Sequence, residues 1–298
     1  MMFVYDIYGL TLGSEIECPE LFSSKKQPDV FLRTRPLSEF HYEQSNYIRV
    51  EVLDSENVLV RVRDSVLILV QGNHTIWIDS RSTAPLNLIR LNALGTAMLV
   101  IMMKHGILPI HGNGILHRDK CVIFAGHSGR GKSTLAASFM KRGCPLISDD
   151  ICAIKLDENN QPWVYPGVHQ IKLKQDSADS LAFDLKPNNL FLKNGKYVIP
   201  MAAHLYERTP KPVQAIYSLE FHDHPEFSIL PLSLVDSIIV LKEYTARFYL
   251  IDQLGLGEPH FQVCSRLANK IKVQKLRRPK DLEKLDHLVQ HMLDDNLT

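Results

Sequence analysis

The sequence predicts an α/β fold (α+β elements) with a smaller β-rich region at its N-terminus, and three observations predict it. Short alternating apolar runs broken by turn formers fill residues 1–82. An apolar run, Cys121 to Ala125, leads directly into the glycine-rich loop Gly126-His127-Ser128-Gly129-Arg130-Gly131-Lys132-Ser133, and a helix-forming segment follows it. Beyond that loop, strand-like and helix-like segments succeed one another to the C-terminus. The expected division is therefore a β-rich region over 1–82 and a loop-bearing domain with C-terminal helices over 83–298.

In the N-terminal region, Tyr47 to Leu53 alternates apolar and polar as a half-buried strand does. Val58 to Val62 and Val66 to Val70 follow, separated by Asp54-Ser55-Glu56-Asn57 and Gln71-Gly72-Asn73-His74, and this spacing suggests an antiparallel sheet. Pro85 opens a helix predicted to run to His105, with Gly106 as its stop. Its apolar part, Leu91 to Met103, is shorter than the ~20 residues that span a bilayer and reads as a buried helix. Strands are expected at 114–117 and 120–125 around an Arg118-Asp119 turn, then a helix from Lys132 to about Gly143. Further strands fall at 145–148, 151–156 and 213–220. The polar stretch 174–195 reads as loop or short helix. Helices are expected over Leu232 to about Tyr249, over Phe261 to Ile271, and after Pro279-Lys280-Asp281, where Leu282, Leu285, Val289 and Met292 recur at helical spacing.

Composition excludes several classes. The formal net charge is +1 over 298 residues, with no basic field to hold a nucleic acid backbone. Apolar residues make up 45% and charged residues 22%, enough to bury a core. The five cysteines are dispersed without metal spacing, which favours reduced thiols in the cytoplasm. The opening Met1-Met2-Phe3-Val4-Tyr5-Asp6 lacks the pattern of a signal peptide. Neither a nucleic acid nor a membrane partner is expected.

The loop fits G-x-x-x-x-G-K-[ST] without a mismatch, a pattern that chance would place in roughly one chain of this length in a hundred. Its glycines let successive N–H groups converge on one point, and the helix that follows directs its N-terminal partial charge there. Gly126 to Ser133, with Thr134, is expected to cradle a nucleotide's phosphates. Lys132 would reach the β- and γ-phosphates, and the Ser133 hydroxyl would ligate Mg²⁺. Downstream, Asp149-Asp150 ends a short apolar strand. Two carboxylates there can divide the work, one holding the metal and one taking a proton from an incoming hydroxyl. His111, just before the strand that leads into the loop, can orient or tune an aspartate. A second cation should steady the transferring phosphoryl. Arg130, Lys155, Lys172, Arg208 and Arg247 are candidates, of which Arg130 and Arg247 are taken as phosphate contacts.

With His111-Gly112, Gly126 to Ser133 and Asp149-Asp150 in this order, the segment resembles the catalytic core of HPr kinase/phosphorylase, and more distantly the nucleotide core of the phosphoenolpyruvate carboxykinases. The opening Tyr8-Gly9-Leu10 to Pro19-Glu20-Leu21 and the Tyr165-Pro166-Gly167…Ile171-Lys172-Leu173 stretch look more like the HPr-kinase-related kinases that phosphorylate a serine of lasso-peptide precursors near the C-terminus. This resemblance implies a kinase-type P-loop core with ATP and Mg²⁺ as cofactors and a serine-bearing peptide or protein as partner. It further implies Ser133 and Asp150 on the metal, Asp149 as base and His111 in support of Asp149. It also admits a homo-oligomer, since the HPr kinases assemble as rings. Other readings are an NTPase, a nucleotide-gated regulator, or a kinase acting on HPr or on a small-molecule hydroxyl.

Overall fold

Alternating apolar runs and turn residues build the first part of the chain into β1 (Phe3–Ile7), β2 (Leu10–Ser14), β3 (Phe22–Ser23), β4 (Val30–Arg35), β5 (Ile48–Val52), β6 (Asn57–Val62), β7 (Val66–Gln71) and β8 (Thr75–Asp79). They form one sheet in the order β3-β1-β2-β4-β8-β7-β6-β5. The three runs read from the sequence are β5, β6 and β7, paired antiparallel with Val50 opposite Val60 and Val60 opposite Ile68. The sheet is mixed rather than purely antiparallel, because β4 lies parallel to both β2 and β8. The chain between those strands is long enough to make the crossovers that parallel pairing needs. The structure is a computed structural model. It describes residues 2–43, 47–63, 65–180, 182–183, 185–186, 189–192, 194–281 and 284–294.

After Pro85 come α1 (Leu86–Asn92), a π-helical turn Ala93–Ala97 and α2 (Met98–Lys104), a single continuous helical run ended by Gly106 at φ 68°. Leu86–Lys104 is long and apolar enough to cross a membrane by length and composition, but most of it is buried in the protein. Its π-helical turn packs on β7 and β8. The chain divides into two compact units, residues 1–107 with 247–260, and residues 108–246 with 261–298. The first boundary thus falls after α2 instead of at residue 82, because the apolar residues of this helix belong to the core under the first sheet.

The second unit begins with β9 (Leu108–Ile110), the hairpin β10 (Gly112–His117) and β11 (Lys120–Ala125), α3 (Lys132–Lys141), β12 (Leu146–Ser148), β13 (Cys152–Leu156) and β14 (Pro162–Tyr165). It continues with β15 (Gln170–Lys174), α4 (Gln175–Ser180), β16 (Leu190–Phe191), β17 (Lys196–Pro200), β18 (Lys211–Phe221) and β19 (Ser228–Pro231). Last come α5 (Leu234–Glu243), α6 (Tyr249–Gln253), α7 (Gly257–Lys270), β20 (Lys272–Arg278) and α8 (Leu285–Asp294), of which α6 and the start of α7 belong to the first unit. The hairpin turn takes positive φ at both Arg118 and Asp119, as a two-residue turn matching strand twist requires. The helix expected over 232–249 is two helices, α5 and α6. A positive φ at Arg247, 51°, breaks it. In α8, Leu285, Val289 and Met292 are buried on one face, while Leu282 lies outside the described residues.

The long strand β18 organises this unit. It runs parallel to β11 on one side and parallel to β20 on the other. The carboxyl ends of all three strands, at Ala125, Phe221 and Arg278, therefore lie together, which is where open α/β sheets bind ligands. A separate sheet, β15-β17-β16, leads away from β14. Behind the glycine-rich loop, Phe124 of β11 stacks on Phe139 of α3 at 5.3 Å and meets Tyr217 of β18 at 5.8 Å, all three fully buried. This stack sets the angle at which α3 leaves the loop. Phe139→Ala is expected to cost about 3–5 kcal/mol of stability, read as a shift in the midpoint of urea unfolding, because a cavity replaces the ring. A shift below about 1 kcal/mol would show that α3 does not depend on the stack.

Candidate active site

The loop between β11 and α3 holds positive φ at Gly126, Gly129 and Gly131. The need is sharpest at Gly131, where a Cβ would lie 2.2 Å from Nη2 of Arg278. Lys132 opens α3 and is buried. Its ammonium donates to the Gly126 carbonyl at 2.6 Å and the His127 carbonyl at 3.1 Å, and its third hydrogen meets Nε2 of His111 at 3.1 Å. Burial pulls the Lys132 pKa down to about 8, against the opposing charge of the two aspartates.

His111 closes a chain between lysine and acid. Its Nδ1 lies 3.0 Å from the Asp150 carbonyl, which can only accept, so Nδ1 carries the proton. Nε2 is then the acceptor for Lys132. Burial lowers the His111 pKa, in keeping with a neutral ring. Gly112 next to it has no room for a side chain, since a Cβ would sit 2.7 Å from the Phe124 carbonyl oxygen. That close approach brings the start of β10 against β11 and places His111 over the loop.

The two aspartates have different surroundings. Asp149 is buried, and its Oδ1 accepts from the Ser133 hydroxyl at 3.2 Å and from Asn113 Nδ2. Oδ2 accepts from the Lys172 backbone N–H at 2.8 Å. Burial, and then the charge of Asp150, push the Asp149 carboxyl above the usual carboxylate range. Asp150 is half-buried and holds φ 73°, a left-handed conformation that costs a residue with a Cβ ~1 kcal/mol or more. Its Oδ2 accepts from Nζ of Lys172 at 2.7 Å, and its Oδ1 lies 3.3 Å from His111 Nδ1. Burial would raise the Asp150 pKa, but Lys172 and His111 outweigh it and hold this carboxyl well below the usual range. Asp150 is the acid held ionised in the free site, and Asp149 is the one beside the loop hydroxyl.

Ser133 is hydrogen-bonded to Asp149, not Asp150, and His111 contacts Asp150, not Asp149. The cause is the reversal of the chain at Asp150, whose left-handed backbone turns the second carboxylate towards β15 and His111.

Among the other expected residues, Thr134 bonds Ser177 of α4 at 3.0 Å and His127 pairs with Glu243 at 2.7 Å. Ser128, Gly129 and Arg130 are exposed on the loop, and the Arg130 guanidinium lies 5.9 Å from the Phe221 ring. Lys172, one of five candidate cations, is the one bound to the aspartates. Lys155 and Arg208 are exposed. Arg247 belongs to the first unit and donates to the Tyr249 hydroxyl at 3.3 Å. Three residues join the site that the sequence reading passed over. Asn113 shares a strand with His111's neighbour Gly112 and binds Asp149. Lys196 of β17 places its charge on His111, Lys132, Asp149 and Asp150 together. Arg278 ends β20 against Gly131. The signal for Asn113 was its place in His111-Gly112-Asn113, while the other two come from segments whose lysines and arginines look merely solvated.

Among solved structures, the chain is similar to that of the HPr(Ser) kinase/phosphatase from Coxiella burnetii, with 15% identity, coverage of 63% of this chain and 95% of that one, and a TM-score of 0.33. No family model and no curated protein matches the sequence.

Proposed function

We propose that this chain is a kinase that transfers the γ-phosphoryl group of ATP to a serine hydroxyl of a peptide or protein. The observation that carries the reading is the convergence, around one buried ammonium, of a hydroxyl–carboxylate pair and a second, ionised carboxylate. Such a set meets the needs of phosphoryl transfer, which asks for alignment and charge neutralisation more than for covalent chemistry.

The fit to Mg²⁺ is tested by the donor set. Ser133 Oγ and Asp149 Oδ1 are hard oxygens 3.2 Å apart, and magnesium favours one or two carboxylates shared with substrate phosphates. Ser133 and Asp149 would hold it. It would supply positive charge to the phosphates. Lys132 exchanges its loop carbonyls for phosphate oxygens. Asp150 accepts the hydroxyl proton of the acceptor as the new O–P bond forms and the bond from the γ-phosphorus to the bridging oxygen breaks, leaving ADP. Lys172 and His111 hold Asp150 in place, and Lys196 adds a cation to the same space.

A serine peptide is supported over water by the position of Asp150, which is half-exposed and meets His111 and Lys172. Within that class, the resemblance of the Tyr165 to Leu173 stretch to lasso-precursor kinases makes the C-terminal part of such a precursor the acceptor to try first. The test is a mass spectrum after incubation with ATP, Mg²⁺ and serine-bearing peptides. A gain of one phosphate on serine is expected. ATP turnover that no peptide changes, with no phosphate on any peptide, would replace the kinase by an NTPase.

A further inference from the structure

Among the described residues, Arg278 is a buried cation without a counter-ion. It is 3% exposed, and its Nη1 donates to the carbonyl of Pro279 at 3.1 Å. Its Nε is buried with no hydrogen-bond partner. Among the described residues no carboxylate pairs with it, although Glu220 takes both Lys275 and Arg277 close by. The guanidinium lies over the Phe221 ring at 4.8 Å and holds its Nη2 against Gly131 of the loop. A buried charge is retained where something pairs with it, and no ion pair to Arg278 is found among the described residues.

The other side of Arg278 faces a cavity of about 340 Å³. Phe227, Pro279, Leu285 and Leu288 supply its apolar wall, and Glu226, Asp281, Lys284 and His287 its polar rim. It opens beyond the carboxyl ends of β18 and β20, beside α8, which packs on α3. Its size lies within the range of small-ligand sites, ~300–1,000 Å³, and its mixture of apolar wall and few polar groups is typical of them. A nucleotide whose phosphates rest on the loop must send its nucleoside past one end of that loop, and Gly131 with Arg278 marks the end that opens into a cavity.

We propose that this cavity receives the base and ribose of the nucleoside triphosphate, and that Arg278 is the binding residue that neutralises the phosphate nearest the ribose. The inference rests on the nucleotide reading above but assigns a half of the ligand which that reading leaves without a site. Arginine suits the place, because its flat guanidinium can stack on Phe221 and still present two parallel N–H groups to a phosphate.

The test is calorimetric titration of the full chain with ATP and, separately, with inorganic tripolyphosphate, in Mg²⁺. The unaltered protein should bind both, ATP about tenfold or more tightly. Leu288→Trp, which fills the cavity, and His287→Trp, on its exposed rim where folding is not at stake, should each weaken ATP about tenfold while leaving tripolyphosphate unchanged. Arg278→Gln should weaken both ligands about 10- to 100-fold. If the unaltered protein binds both ligands and neither tryptophan separates them, the nucleoside site is overturned and the loop reading stands. If it binds neither ligand, both are overturned.

Discussion

Asp150→Asn is expected to lower phosphoryl transfer by about 10³-fold while leaving the affinity for Mg²⁺–ATP within about twofold, since general bases contribute ~10²–10⁴. The amide keeps the shape of the carboxylate but cannot take the acceptor's proton. It also leaves the Lys172 ammonium, now held at 2.7 Å, without its charge partner. That loss costs about 1–3 kcal/mol, moderated by the exposed edge of Asp150. The double variant Asp150→Asn with Lys172→Met removes both charges and should regain stability without regaining transfer, which separates chemistry from folding. Asp149→Asn should behave differently. With the oxygen beside Ser133 reduced to an amide, the Mg²⁺ concentration for half-maximal activity should rise by an order of magnitude or more, as expected for loss of a charged ligand. Transfer rates against Mg²⁺ concentration for the two variants decide the matter. If Asp149→Asn abolishes transfer at every Mg²⁺ concentration and Asp150→Asn does not, the roles are those the sequence first implied.

The pairing of Ser133 with Asp149 shows where sequence reading succeeds and where it stops. The loop was legible because its chemistry demands glycine at fixed spacing, and the flanking strand and helix follow from apolar runs that nothing else explains. The adjacency of two aspartates was equally plain. Which carboxylate faces Ser133 was not, because it depends on one backbone angle, the positive φ at Asp150, and aspartate carries no mark of it. Lys172 was legible only as one of several cations, since its role comes from β15 crossing beside α3. Strand β20 escaped detection because Lys272, Lys275, Arg277 and Arg278 disguise its pattern. Val273, Leu276 and Arg278 are buried while most of the residues between them meet solvent. A buried arginine at a strand end reads from sequence like any solvated one. The N-terminal sheet was legible in its antiparallel hairpins, where contacts are local, and not in its parallel pairs, which join strands far apart in the chain.

Lys132→Ala is expected to weaken nucleotide binding about 10- to 100-fold and to lower transfer by a further 10²–10³-fold, typical losses for a charged hydrogen bond and for a donor that stabilises the transition state. A pH measurement identifies the ammonium as the cause. In the free protein burial holds Lys132 at about 8, so above that pH most of its molecules are neutral. Phosphate oxygens favour the charged form, and the complex keeps the lysine protonated to higher pH. Binding at pH 9 must therefore take up close to one proton, and affinity should fall by up to tenfold for each pH unit above about 8, until the pKa of the complex is reached. Titrations in two buffers of different ionisation enthalpy read this uptake directly. The γ-phosphate of free ATP is already fully ionised at pH 9, so the nucleotide contributes no competing proton. In Lys132→Ala the uptake should vanish along with the slope. Proton uptake that survives the substitution would place the titrating group elsewhere and remove Lys132 from contact with the phosphates.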